Sequence, residues 1–366
     1  MKRNSDTFVF STPIPPRRGA KTFKQVKMKL HQMTIKDIAK ILGISASTVS
    51  RALKDHPDIS AETKEAVRRV AASVNYRPNA LALSLRKAKT NIIGVVIPEM
   101  SHYFFSSVMS GMSETAAQRG YTTMMCQSCE NAEYERKELQ SLMDSRVDGI
   151  LLSVSKTTTD DTFLKAMVDD GMPLVMFDRI MPGVEVSRVT TDDFLGSYNA
   201  VRLMTSHGCK KIAILCGDQG LQVSDHRRDG YAQALRDAGI EFDPALVIDA
   251  DTPTKLRSAQ TQLERIAPEI DGLFAINDDT AVEAIKILKR SGRRIPEDVE
   301  VVGFGNDPAA DIIEPSLTSV EQNGYEMGCM AMKLLIDQIE SGLVVNRPIS
   351  KVLEPKINER ESTRRQ

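Results

Sequence analysis

At 366 residues the chain has room for two or three domains. Its apolar share of 41% and charged share of 27% are those of a globular protein, and no apolar run approaches the roughly 18 residues of a membrane span. The formal charge of −1 conceals a split: residues 1–33 hold eight Lys and Arg against one acid, residues 34–90 eleven against five, and the remaining 29 basic groups face 43 acids. A basic first quarter on an acidic body is the charge footprint of a chain that meets nucleic acid at one end.

The opening stretch, MKRNSDTFVFSTPIPPRRGA, contains the apolar patch FVF, too short for a signal-peptide core, so the chain is expected to stay in the cytoplasm. Residues 1–32 are interrupted by proline and lack apolar periodicity, which predicts a solvated, disordered basic extension. Helical patterning begins at Thr34, which with Asp37 spells a capping box: a hydroxyl at the N-cap and an acid three residues on. Ile35, Ile38, Ala39 and Leu42 then share one face of a helix over 35–42. Gly43 supplies a sharp turn, Ile44 plugs the core beneath it, and Ser45 caps a second helix over 46–53. Val49, Ala52 and Leu53 face inward on that helix, leaving Ala46, Ser47, Ser50 and Arg51 outward. Ser60 caps a third helix, in which Thr63, Ala66, Val67 and Val70 recur at helical spacing. Two helices joined by a tight glycine turn and closed by a third make a helix-turn-helix domain.

The second helix lies in LGISASTVSRAL, where four hydroxyls crowd six residues although Ser and Thr are indifferent helix formers. Standing alone, such a segment is an ordinary surface helix. Beside a glycine turn and a net positive charge it suits the major groove: small residues allow close approach, hydroxyls meet phosphates or base edges, and Arg51 reaches a guanine edge or a phosphate. In NYRPNALALSLRKAKTN, Pro78 breaks the third helix and Asn79 caps a short one over 80–86. Leu81, Leu83 and Leu85 are too apolar for a linker this basic; a segment of this kind folds against DNA and wedges a leucine into a base step.

From Asn91 onward, strand-like runs at 92–98, 122–127, 148–154, 173–179, 211–218, 271–278 and 299–306 alternate with helical ones. Continuous apolar strands fit parallel sheets covered on both faces, which bind ligands at their C-terminal ends. No Walker A or GxGxxG motif follows any of them, and GDQG at 217–220 is read as a loop. Cys126 and Cys129 form a CxxC without the second ligand pair of a zinc site, and with Cys209, Cys216 and Cys329 they are expected to be ordinary reduced thiols. His31, His56, His102, His207 and His226 make neither a metal-ligand spacing nor a nucleophile–base pair. Neither catalysis nor a metal or cofactor is expected.

TIKDIAKILGISASTVSRAL followed by NYRPNALALSLR resembles the DNA-binding head and hinge of the LacI/GalR family of bacterial transcription regulators. IPEMSHYFFSSVMSGMSETAAQRGY, RVDGILL, HRRDGYAQALRDAG, AINDDTAVEAIKILKRSGRRIPEDVEVVGF and EPSLTSVEQ resemble that family's periplasmic-binding-protein-like core. The resemblance implies an α plus α/β architecture: an extension over 1–32, a three-helix helix-turn-helix domain over 33–78, a hinge helix and linker over 79–90, and a core over 91–366. The core comprises two α/β subdomains with crossovers near 190 and 320, binds the effector and dimerises.

The resemblance also implies DNA contacts from Thr34, Ser45, Ala46, Ser47, Thr48, Ser50 and Arg51, with Ala46 and Ser47 at the main base-reading positions. Leu85 falls at the position of the minor-groove lever, with Asn79 and Arg86 nearby. An effector pocket is implied from Ser101, Phe104, Phe105, Asp178, Arg227, Asn277 and Asp278, with Arg227 as the central arginine. Aromatic faces there stack on a ring, and a guanidinium fork suits hydroxyl pairs or a carboxylate. Taken singly, polar residues at strand ends more often cap helices. One departure stands out: where the family commonly reads Gly-aromatic-Asp-Asp, this chain reads GFGND. Gly305 thus replaces an acid that often anchors the ligand, and either Asp307 substitutes from two positions along or the ligand differs.

The implied partners are double-stranded DNA carrying a near-palindromic operator, a small-molecule effector of the sugar class, and a second copy of the chain. The implied action is repression, with no membrane and no cofactor. The chain stops soon after INEREST without a leucine heptad, so nothing suggests a tetramerisation helix. A transport-type sugar-binding protein would lack residues 34–90, and a fused sugar-modifying enzyme would need a phosphate loop or an acid–base pair that the body does not show.

Overall fold

The computed structural model describes residues 33–74, 76, 89–217, 220–342 and 347–363. The basic extension and the hinge helix expected over 80–86, with Asn79, Leu85 and Arg86, lie outside these residues. The chain divides into two compact units, Met1–Arg86 and Lys87–Gln366.

The first unit is built from α1 (Ile35–Leu42), α2 (Ala46–Leu53) and α3 (Ala61–Ser73), the helices that the capping pattern predicts. The Thr34 hydroxyl accepts from the Asp37 N–H, while the Asp37 carboxylate accepts from the N–H and hydroxyl of Thr34 at 2.8 and 2.7 Å. Gly43 closes α1 with φ +64°, a left-handed conformation that costs other residues energy. Ile38, Ala39, Val49, Ala52 and Val67 form the small core. Ala46, expected outward, packs half-buried on that core, because three residues before Val49 it shares Val49's inward face.

The second unit has two lobes. Lobe 1 contains β1 (Ile92–Ile97), α4 (Tyr103–Gln118), β2 (Thr122–Gln127), α5 (Ala132–Asp144), β3 (Gly149–Leu152), α6 (Thr162–Asp169), β4 (Leu174–Phe177) and β5 (Ser187–Thr191). The chain then crosses to lobe 2: α7 (Asp193–Ser206), β6 (Ile212–Cys216), α8 (Gln222–Asp237), β7 (Val247–Asp249), α9 (Pro253–Ser258), α10 (Gln260–Ile266), β8 (Gly272–Ala275), α11 (Asp278–Arg290), β9 (Glu300–Phe304), α12 (Ala309–Ile312) and β10 (Thr318–Glu321). It returns with α13 (Gly324–Ser341) and β11 (Ser350–Leu353) in lobe 1, then crosses a third time to place β12 (Lys356–Asn358) in lobe 2.

The sheets run β11-β5-β4-β3-β1-β2 and β12-β10-β9-β8-β6-β7. Every pairing is parallel except β10 with β12. Both faces of each sheet are covered, which is why most central strands are apolar throughout. On lobe 1, α4 and α13 bury Met112, Met327 and Leu335 against one face, and α5 and α6 bury Leu139 and Met167 against the other. On lobe 2, α7 and α8 contribute Met204 and Tyr231 to one face, while Leu256, Leu263 and Leu288 from α9, α10 and α11 fill the other. The third crossing and the strands β5, β7, β10, β11 and β12 were not among the elements read from the sequence. Their segments are short or polar, as in SRVTT and KIN, and carry no continuous apolar run.

Helices α4 and α13 touch backbone to backbone. A Cβ on Gly328 would stand 2.0 Å from the Val108 carbonyl oxygen, and one on Gly111 2.2 Å from that of Tyr325. Only glycine allows this approach, and a fixed backbone cannot move aside as a side chain would. Gly328→Ala is therefore expected to destabilise the core by about 1–3 kcal/mol, the range for overpacking, measured as a lower urea midpoint.

Candidate functional site

Two surfaces carry groups beyond what packing requires. The first is the start of α2. Ser45 caps it by accepting from the Thr48 N–H at 3.0 Å, and its hydroxyl also lies 2.7 Å from that of Ser47 and 2.8 Å from that of Thr48. Three hydroxyls thus gather at the positive end of a helix dipole. Ser47 and Arg51 are exposed and Ser50 is half-buried. Thr34 spends its hydroxyl on the capping box of α1.

The second surface is the cleft where the C-terminal strand ends of the two lobes face each other. Arg227, 8% exposed on α8, is its centre. Its Nε donates to Asp193 at 2.8 Å and its Nη1 to the Ile276 carbonyl at 2.6 Å; its Nη2 lies 2.7 Å from the same Asp193 oxygen. The guanidinium stacks over the Phe304 ring at 3.8 Å from the centroid. Asp178, at the end of β4, comes from lobe 1 with φ +57° and only 8% exposure. Burial pushes its carboxyl up to about 6, with Arg179 opposing and Asp193 adding to the effect. Among the described residues, two ion pairs bridge the lobes: His102 with Asp279 at 3.5 Å and Lys156 with Asp251 at 3.9 Å. The bond to Asp279 raises His102 and lowers Asp279 below the usual carboxylate range.

Beneath the lobe 2 rim, Asp278 is 2% exposed. It accepts from the Ser319 hydroxyl at 2.6 Å and from the Asp307 N–H at 2.7 Å. Burial pushes Asp278 up to about 6 and Asp307 up to about 7, where the neighbouring charges of Asp278 and Asp279 add to the effect.

Of the residues expected to line a pocket, Arg227 and Asp178 come from opposite lobes and are linked through space, the Arg227 charge opposing the upward push on the Asp178 carboxyl. Ser101 is exposed before α4. Phe104 lines a cavity of about 320 Å³ together with Tyr103, Gly305, Asn306 and Tyr325. Phe105 is 3% exposed in the core of lobe 1, because the next position along the helix turns its ring inward. Asn277 caps α11, accepting from the Thr280 N–H at 2.9 Å, and its side-chain amide donates to the Asp251 carbonyl. Asp278 binds the chain around it. The sequence reading missed Asp193, Phe304, His102, Lys156, Asp251 and Asp279. Asp193 follows a polar strand that the apolar pattern did not show, and the bridging residues meet only across the cleft. Among the described residues no group of three ligands could hold a metal, and no helix is long and apolar enough to cross a membrane.

A helix-turn-helix unit joined to a two-lobed α/β core with a polar cleft defines a ligand-responsive DNA-binding regulator. Residues 34–79 match the family model described as bacterial regulatory proteins, lacI family, and residues 201–363 that of a periplasmic binding protein-like domain. The ribose operon repressor of Halalkalibacterium halodurans is 33% identical over 308 residues, covering 84% of this chain and 90% of the repressor. The structure titled transcriptional regulator CelR–cellobiose complex superposes with a TM-score of 0.68 at 30% identity, over 90% of this chain and 99% of that one. The lac repressor dimer bound to operator and the anti-inducer ONPF reaches 0.78 at 21% identity over 90% and 99%, a likeness of fold. The chain belongs to the lacI family of bacterial regulatory proteins, and it is a DNA-binding transcriptional regulator under small-molecule control.

Removing one partner of a buried ion pair leaves the other charge stranded. Asp193→Ala is expected to cost about 3–5 kcal/mol, and adding Arg227→Met should recover most of that, read from urea unfolding. The cleft acids also set a pH dependence. Asp178, Asp278 and Asp307 have folded values above those of the unfolded chain, so folding takes up protons in the window between them. His102, also raised, acts in the same direction. Stability of the ligand-free protein is expected to rise as the pH falls from about 8 through 7 and 6, seen as a higher melting temperature near pH 5.5. Asp307→Asn should narrow that difference.

Proposed function

We propose that the chain represses transcription as a homodimer on a near-palindromic operator, and that a sugar or sugar derivative in the cleft controls its grip. One observation carries this reading: the walls of the cleft belong to different lobes and touch through side chains, His102 with Asp279 and Lys156 with Asp251. Such contacts exist at one lobe angle only, so a ligand between them shifts that angle. Coupling of this kind between two sites typically amounts to about 1–3 kcal/mol. The ribose operon repressor and the cellobiose complex of CelR are named for sugars, which supports that class of effector here.

In this reading Ser47 and Arg51 reach into the major groove. Ser45, Thr48, Ser50 and Thr34 hold or touch the backbone, and Ala46 offers its half-exposed methyl. Leu85, Asn79 and Arg86 act at the hinge. In the cleft, Arg227 and Asp178 meet ligand hydroxyls, and Ser101 and Phe104 close one side. Phe105 supports Phe104, while Asn277 and Asp278 hold the wall of lobe 2. No step of this action is catalytic, and its place is the cytoplasm, where the DNA is.

The test is capture of fragments of the source genome by the purified protein at one fixed salt concentration, with and without a panel of neutral sugars. Recovery of a few near-palindromes whose yield changes with one sugar is the expected outcome; diffuse recovery that no sugar alters would sink the reading. On a recovered operator, Arg51→Ala is expected to weaken binding by about 1–3 kcal/mol while non-specific binding changes little, measured by fluorescence anisotropy.

A further inference from the structure

The turn Gly305–Asn306–Asp307 leaves β9 at the rim of lobe 2, and six hydrogen bonds hold it, one of them from the Ala310 N–H to the Asp307 carbonyl at 2.8 Å. The Gly305 N–H donates to the Val320 carbonyl at 2.7 Å and the Asn306 N–H to the Ser319 hydroxyl at 3.0 Å. The Asn306 side-chain amide donates to Glu321 at 3.1 Å, and its oxygen accepts from Arg360 at 2.7 Å. The Asp307 N–H donates to Asp278 at 2.7 Å. Asn306 carries φ +53° and Gly305 φ +132°, conformations that asparagine and glycine adopt more readily than other residues, and these bonds fix the path of the turn.

Within this fastened turn one polar group is left over. No donor among the described residues reaches the carboxyl of Asp307, a half-buried residue. It folds back over the glycine: a Cβ on Gly305 would stand 3.3 Å from the Asp307 Oδ1. The space that a side chain at 305 would enter therefore belongs to Asp307. Across the cleft it faces His102 of lobe 1, whose charge opposes the upward push of Asp278 and Asp279.

The cations of the cleft are in the opposite state. Arg227 is paired with Asp193 at 2.7 Å, Arg179 with Glu130 at 2.7 Å and His102 with Asp279 at 3.5 Å; Lys156, 3.9 Å from Asp251, shares that acid with Lys255 at 3.0 Å, and Lys255 also meets Asp249 at 3.4 Å. An anionic ligand entering here would find its cations already neutralised and an unpaired carboxyl at the rim. A ligand with hydroxyls to donate would satisfy that carboxyl.

We propose that Asp307 is the carboxyl with which the cleft grips its effector, and that the effector is an uncharged polyhydroxylated ring and not a sugar acid or a sugar phosphate. This rests on the reading of the cleft as a sugar-controlled site. Hydroxyls donate to the ionised carboxylate, so binding favours loss of the Asp307 proton. Affinity therefore falls as the pH drops below the value near 7 to which burial and its acidic neighbours push this group. The groups facing Asp307 are Asp278 and Asp279 from α11 and His102 from lobe 1.

The experiment is calorimetric titration and thermal shift with neutral and acidic twins: D-ribose with D-ribonate, D-glucose with D-gluconate, D-galactose with D-galactonate, and cellobiose with cellobionate. A neutral member is expected to bind while its acid twin does not. Asp307→Asn should weaken that binding about 10- to 100-fold, the range for a hydrogen bond to a charged group. Between about pH 8 and pH 6.5 the wild-type affinity should fall, and Asp307→Glu should keep that slope while Asp307→Asn flattens it. An acid twin that binds as well as its neutral partner overturns the assignment of ligand charge. A neutral sugar whose affinity and pH slope are untouched in Asp307→Asn overturns the role of Asp307. Silence from every twin overturns the sugar reading itself, and this inference with it.

Discussion

A guanidinium taken out of water must meet an acid and further oxygen acceptors, and Arg227 finds them on segments far apart in the chain. Asp193 arrives at the start of α7, just after the first crossing between lobes; the Ile276 carbonyl ends β8, and the Phe304 ring ends β9. One side chain on α8 therefore gathers the first crossing and two neighbouring strand ends into a single wall. Everything polar on that wall inherits its position from this cluster. Asn277 and Asp278 follow Ile276 directly, and the turn that presents Asp307 follows Phe304.

The head was legible because its signals are local. Thr34, Ser45 and Ser60 each lie next to the helix they cap, and Gly43 marks its own turn. The long apolar strands were legible for a related reason: burial on both faces leaves an uninterrupted run that needs no partner to be recognised. The polar strands β5 and β12 gain their identity only from the neighbours they pair with, so their residues alone resemble loops. The cleft followed the same division. Arg227 and Asp178 stood in recognisable stretches, whereas Asp193, His102 and Asp279 take their meaning from contacts across long separations in sequence. Phe104 and Phe105 show the limit of resolution: adjacent on α4, one lines a cavity and the other is core.

The cleft is tolerant of acids because each is given a different answer. Asp193 has Arg227, Asp279 has His102 and Asp251 has Lys255 and, across the cleft, Lys156, while Asp278 lies among donors. Burial pushes Asp178 and Asp278 up to about 6 and Asp307 up to about 7, towards the neutral form that a carboxyl withdrawn from water favours. The stabilising groups come from both lobes and also from the tail, where Arg360 reaches back to Asn306 and to the Leu317 carbonyl. The rim of the cleft is thus coupled to the end of the chain by direct bonds.

That tail has a consequence for the order in which the molecule is made. Lobe 1 lacks α13 and its edge strand β11 until residues beyond 350 have been synthesised, and lobe 2 lacks β12 until a few residues later. Ser362 then closes the sheet edge, donating to the Val301 carbonyl and accepting from the Thr318 N–H. The head, complete by residue 76, needs none of this. At the usual pace of translation, about 5–20 residues per second, the ribosome carries the three-helix core of the head for many seconds before the sensor has all its strands. Nascent chains thus pass through an interval in which the three-helix core of the head is in place and the cleft that answers to the ligand is not.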